Sequence, residues 1–131
     1  MTGPAPTHFS LLGGEDGIRQ LVDRFYDLMD SAPEAIHVRA LHATSLKSSR
    51  EKLRLFLTGW TGGPPVYVEK FGHPKLRMRH FPFAIGPLER DEWLWCMERA
   101  LDAHEMDAML REELKGKLRN TADHMVNKLD G

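Results

Sequence analysis

The chain has 131 residues, 41% of them hydrophobic and 28% charged, and its 18 Lys+Arg against 19 Asp+Glu leave a formal net charge of -1 at pH 7. That length fits one domain with its own core, and a near-neutral balance supplies no basic field for nucleic acid. The single cysteine, Cys96, excludes an internal disulfide and a cysteine-rich zinc site, and no apolar run approaches the roughly 20 residues of a membrane span.

Residues 1–12 read as a loose N-terminal extension of a single domain covering 1–131. The extension has neither the charged start nor the apolar stretch of a secretory signal, so the chain reads as cytoplasmic. Gly13-Gly14 precedes a first helix from Asp16 to about Asp30, where Ile18, Leu21, Val22, Phe25, Leu28 and Met29 recur at three- and four-residue steps. Ser31-Ala32-Pro33 ends it and opens an irregular stretch through His42. A second helix runs from about Leu46 to Trp60, with Ser48 and Glu51 at capping-box spacing. Gly62-Gly63-Pro64-Pro65 stops it.

Val66–Phe71 is open between a loop and a short helix, and a brief helix carries Pro74 to His80. A third long helix spans Pro87 to about Ala103, and a last one runs from Asp107 to about Leu129 on a stripe of Leu110, Leu114, Leu118, Ala122 and Met125. No segment alternates with period two. The expectation is therefore an all-α domain of four substantial helices and several short ones.

The segment from Gly72 to Gly86 concentrates the chemistry. His80 stands behind Arg77 and Arg79, against Phe81 and Phe83, with Pro82 ending the helix. Imidazole ligates iron, guanidinium groups meet carboxylates, and aromatic surface covers a flat apolar cofactor. A histidine at a helix end also simply suits the negative end of the helix dipole. Lys52, Lys75, Arg77 and Arg79 are the anion candidates, or else a solvated basic patch; Arg77 and Arg79, two apart on a helix, do not face one spot. Tyr26 and Trp93 are two polar aromatics at the apolar face that can either pack or donate into a pocket. His42 lies where the irregular stretch can close over such a pocket. The other histidines have no metal-ligand spacing, Cys96 reads as buried and inert, and no nucleophile-elbow or P-loop pattern is present.

Longer strings carry a family resemblance. They are Arg24-Phe25-Tyr26, Arg39-Ala40-Leu41-His42, Glu51-Lys52-Leu53-Arg54-Leu55-Phe56-Leu57, Trp60-Thr61-Gly62-Gly63-Pro64, Tyr67, Gly72-His73-Pro74, Leu76-Arg77-Met78-Arg79-His80-Phe81-Pro82-Phe83, Arg90-Asp91-Glu92-Trp93-Leu94 and Cys96-Met97. In this order, over residues 13 to about 126, they resemble the second group of truncated haemoglobins, the class with a tryptophan in the distal pocket.

The resemblance implies a truncated globin, a two-over-two helical sandwich around haem b, with a short or absent first helix and a loop-rich region ahead of the proximal histidine. By motif position His80 is the proximal iron ligand, and Tyr26, His42 and Trp93 are the polar distal residues. Ser49 and Leu53 fall beside the ligand path, the small Ser49 leaving a direct channel open. Lys52, Tyr67 and Arg79 are expected to meet the propionates, and Phe56, Trp60, Phe71, Leu76 and Ile85 to line the haem. The implied function is reversible binding of O2 and other small diatomic ligands, with slow O2 release because paired donors hold the ligand and a reductase as an unidentified partner. The alternative is a haem peroxidase or a nitric-oxide-consuming enzyme on the same pocket. A non-haem helical interaction domain is the competing reading from the residues alone.

Overall fold

The structure, a computed structural model, describes residues 6–80 and 82–128, the side chain of Arg77 excepted. The expectations on residues 1–5, on the Arg77 side chain and on Phe81 lie outside the described residues. All secondary structure among the described residues is helical.

The helices are α1 (His8–Leu11), α2 (Gly14–Ser31), α3 (Ile36–Ala40), α4 (Lys47–Trp60), α5 (Val66–Phe71), α6 (Leu76–His80), α7 (Pro87–Ala103) and α8 (Ala108–Met125), with a 3-10 turn at Pro33–Ala35 before α3. Two helix pairs, α2 with α4 and α7 with α8, form the body, and α2 packs across α7. This is the two-over-two arrangement that the resemblance implies. Phe25, Ile18, Met29, Leu57, Met97, Leu101 and Leu114 are fully buried between the pairs, so the apolar stripes of the four long helices make one core. Among the described residues, no helix is long and apolar enough to cross a membrane.

Four expectations are corrected. The N-terminal extension is not loose throughout: Thr7 caps α1 by accepting from the Ser10 N–H at 3.1 Å, and Phe9 N–H donates to the Thr61 carbonyl at 2.8 Å, tying α1 to the end of α4. α1 also presses on α2, because a Cβ on Gly17 would stand 1.9 Å from the Leu12 carbonyl oxygen; only glycine admits that approach.

The stretch from Pro33 to His42 is mostly helical rather than irregular. Its helix-forming partner is distant in sequence: the buried Glu92 carboxylate on α7 accepts from the backbone N–H groups of His37 at 2.8 Å and Val38 at 3.0 Å, and from His37 Nδ1 at 2.7 Å. The Ser48/Glu51 capping box is not formed. α4 begins at Lys47 with no side-chain cap from Leu46, and Ser45 Oγ accepts the Lys47 N–H at 3.3 Å instead. The segment left open at Val66–Phe71 is a helix, and α7 takes the expected bounds. The last helix stops at Met125, short of Leu129, with Asp107 capping its start through the Met109 and Leu110 N–H groups.

Candidate functional site

Between the two helix pairs lies a cavity of about 480 Å³, within the range that takes a small molecule or cofactor. α2 contributes Tyr26, α3 and its following turn Val38, Leu41 and His42, and α4 Ser49, Lys52, Leu53 and Phe56. α5 adds Tyr67, α6 Leu76, Arg79 and His80, and α7 Trp93. Apolar side chains make most of this wall, and three groups of residues on it carry the polar chemistry that bears on a cofactor.

The first cluster is a chain of rings. His42 stands 6.0 Å from Tyr26, Tyr26 4.8 Å from Phe25, and Phe25 5.1 Å from Trp93, all edge to face. Tyr26 is 5% exposed, and burial holds its phenol far above the ordinary value against the smaller opposing effects of Arg50 and a Ser49 hydrogen bond. It is therefore a neutral O–H donor at any physiological pH. Trp93 is half-buried on the cavity wall, and its indole N–H has no protein acceptor among the described residues.

His42 differs. Its Nδ1 lies 2.9 Å from the Val38 carbonyl, and a carbonyl only accepts, so Nδ1 carries the proton. Burial first, with Arg39 and His80 adding to it, lowers its pKa against the opposing Val38 bond. The ring is neutral and offers Nε2 as an acceptor.

The second cluster is His80 itself. Its Nδ1 donates to the Leu76 carbonyl at 2.7 Å, one turn back on α6. The remaining nitrogen, Nε2, carries the lone pair of the neutral ring and has no partner among the described residues. A backbone carbonyl on the other ring nitrogen is how metal-binding histidines are oriented and made more basic.

The third cluster is a basic rim. Arg79 lies over the Tyr67 ring at 5.8 Å and donates to the Phe71 carbonyl at 3.0 Å, while Lys52 lies over the Phe71 ring at 5.9 Å. Tyr67 and Phe71 are themselves 5.0 Å apart. Two cations and a phenol thus gather at one edge of a mainly apolar cavity.

A family model described as bacterial-like globin matches residues 7–127. The chain is 42% identical over 117 residues to group 2 truncated hemoglobin YjbI of Bacillus subtilis (strain 168), covering 89% of this chain and 86% of that one. It belongs to the group II truncated haemoglobins. Among solved structures, the group II 2-on-2 hemoglobin from the plant pathogen Agrobacterium tumefaciens superposes with a TM-score of 0.93 at 49% identity, covering 97% of this chain and 98% of that one. A structure described as a truncated oxygen-avid haemoglobin from Bacillus subtilis superposes with a TM-score of 0.84 at 40% identity, covering 93% of this chain and all of the other.

The cavity of this globin fits a haem on its own chemistry. It joins an imidazole nitrogen without a protein partner, an apolar volume and a cationic edge for carboxylates. Tyr26, His42, Ser49, Leu53, Trp93, Lys52, Phe56, Tyr67, Leu76, Arg79, Ile85 and His80 all line it.

Two expected haem-lining residues do not. Trp60, the last residue of α4, packs on the hydrophobic core instead. Phe71 sits one ring behind the wall, because Tyr67 stands between it and Phe56, 6.0 Å away. The wall also holds Phe83, Glu89 and Arg90, and from α8 Leu118, Thr121, Ala122 and Met125. Leu118, Ala122 and Met125 were visible in the sequence as part of an apolar stripe, but a stripe does not distinguish a face on the core from a face on a cavity.

Proposed function

We propose that this globin holds haem b through His80 and reversibly binds O2 and other small diatomic ligands on the distal side. One arrangement carries the reading: the unpartnered His80 Nε2 shares an apolar cavity with the unpartnered Trp93 N–H and the neutral Tyr26 O–H. Haem, when bound, supplies a ferrous iron as the attachment point, which is why an electron-donating reductase belongs with this function.

The chain's residues divide the remaining work. Leu76 fixes the His80 tautomer through its carbonyl, so the ring is presented with its lone pair outward. Lys52, Arg79 and Tyr67 hold the carboxylates at the cavity edge by charge-assisted bonds. Tyr26 and Trp93 donate hydrogen bonds to a small polar ligand, and the burial around them strengthens those bonds. Ser49, small and beside Tyr26, leaves the path past α4 open. Slow ligand release follows from paired donors, in keeping with the oxygen-avid description of the Bacillus subtilis structure.

The test is haem reconstitution. The wild-type chain is expected to show a Soret band, a ferrous O2 adduct and its reversal on deoxygenation, with the band lost or displaced in His80→Ala. A wild type that takes up no haem refutes the reading.

A further inference from the structure

His80 sits on the last residue of α6, a helix of five residues and too short to hold its own shape. The Leu76 bond orients the ring, but the backbone under it is positioned by whatever grips the chain that follows. That grip comes from Asn127, two residues beyond the end of α8. Its Oδ1 accepts from the Ile85 N–H at 3.0 Å. Its Nδ2 donates to the Phe83 carbonyl at 2.8 Å and to the carbonyl of His80 itself at 3.4 Å. The backbone N–H groups of Asn127 and Lys128 both donate to the Ile85 carbonyl, at 2.8 and 3.0 Å.

The geometry points to Asn127 as a positioning residue for the proximal histidine: its carboxamide pins the His80–Ile85 turn to the end of α8 and so sets where His80 Nε2 stands. The inference rests on the haem reading and names a residue that reading does not use. An asparagine suits the position because one planar amide supplies the acceptor for Ile85 and the donors for His80 and Phe83. Ile85 and Phe83 both line the cavity, so the same clamp places the wall beside the histidine. Without it the end of α6 keeps the Arg79 bond to the Phe71 carbonyl, the Phe83 N–H bond to the His80 carbonyl and its packing on α8. It loses the side-chain tie from beyond α8, and the imidazole gains freedom.

The experiment compares haem-reconstituted wild type, Asn127→Ala and Asn127→Asp. Aspartate keeps the acceptor for Ile85 and the backbone bonds but loses both donors, so it removes the tie to His80 with the least damage to the fold. Three quantities are read: the iron–histidine stretching band of the ferrous form by resonance Raman, the rate of haem transfer to an apo-globin acceptor, and the thermal midpoint of the haem-free chain. The expected result is a shifted or broadened iron–histidine band in both variants, with haem loss faster by about 10-fold or more. An iron–histidine band unchanged in both variants, even with lowered midpoints, overturns the inference and leaves Asn127 as a structural tie. A wild type that binds no haem overturns the proposed function and this inference together, whereas a wild type that binds haem with a band insensitive to Asn127 overturns this inference alone.

Discussion

Replacing Glu92 by alanine tests the contact that folds the distal side. Glu92 is 8% exposed, and its carboxylate accepts two backbone N–H bonds and one from the His37 ring. His37 is open to solvent, so water replaces what its groups lose. Val38 is 4% exposed, so its N–H is left unpaired, a cost of about 1–3 kcal/mol. Loss of charge-assisted bonding at the start of α3 adds to this, for a total of about 2–3 kcal/mol. A chain of this size loses roughly 3–5 °C per kcal/mol, so the midpoint falls by about 6–15 °C.

Thermal unfolding followed by circular dichroism at pH 7, with the haem state matched, measures it. Glu92→Gln keeps one acceptor oxygen for both N–H groups and is expected to lose about 1 kcal/mol or less. A buried carboxylate that only burdens the fold gives the opposite sign, since replacing it by an apolar residue then stabilises. A midpoint in Glu92→Ala within about 2 °C of wild type, or above it, refutes the reasoning.

The distal residues separate by hydrogen-bonding role. Tyr26→Phe and Trp93→Phe are each expected to speed O2 dissociation by roughly 5- to 10-fold, the worth of one lost donor of about 1 kcal/mol or slightly more. His42→Phe is expected to change it by less than about 3-fold, because a neutral ring with Nδ1 committed to Val38 donates nothing; stopped-flow ligand replacement on all three decides, and an His42→Phe effect equal to that of Trp93→Phe contradicts the assigned tautomer. The lowered pKa of His42 has a stability consequence. The unfolded ring takes its proton near pH 6.5 and the folded one only at lower pH, so the unfolded state binds more protons between those values and stability falls as pH drops from about 6.5. Denaturant titrations of the haem-free chain between about pH 7 and 5 are expected to show this slope reduced in His42→Phe; an equal slope in both chains removes His42 as its source.

The long helices were legible because each carries its own apolar periodicity, and the start of α7 was legible because Pro87 opens it. His80, Tyr26 and Trp93 could be singled out from local strings, and the structure brings all three to one cavity. What was misread shares a cause. The Pro33–His42 stretch carries no strong helical pattern of its own, and its order depends on Glu92, more than fifty residues away. Trp60 and Phe71, placed at the haem by motif position alone, are aromatic residues at element ends, where packing against distant segments decides which face they take, and neither lines the cavity.

Helix content and the chemistry of single residues therefore belong to the local sequence, since hydrogen bonds within a helix and the pattern of its stripe involve only near neighbours. The tautomers of His42 and His80 are nearly local as well, each set by a carbonyl four residues back. Which side chains share the cavity is decided by how the two helix pairs cross, a matter of long-range packing. The Asn127 clamp belongs there too: an asparagine near the end of the chain has no partner until folding brings the His80–Ile85 turn against it.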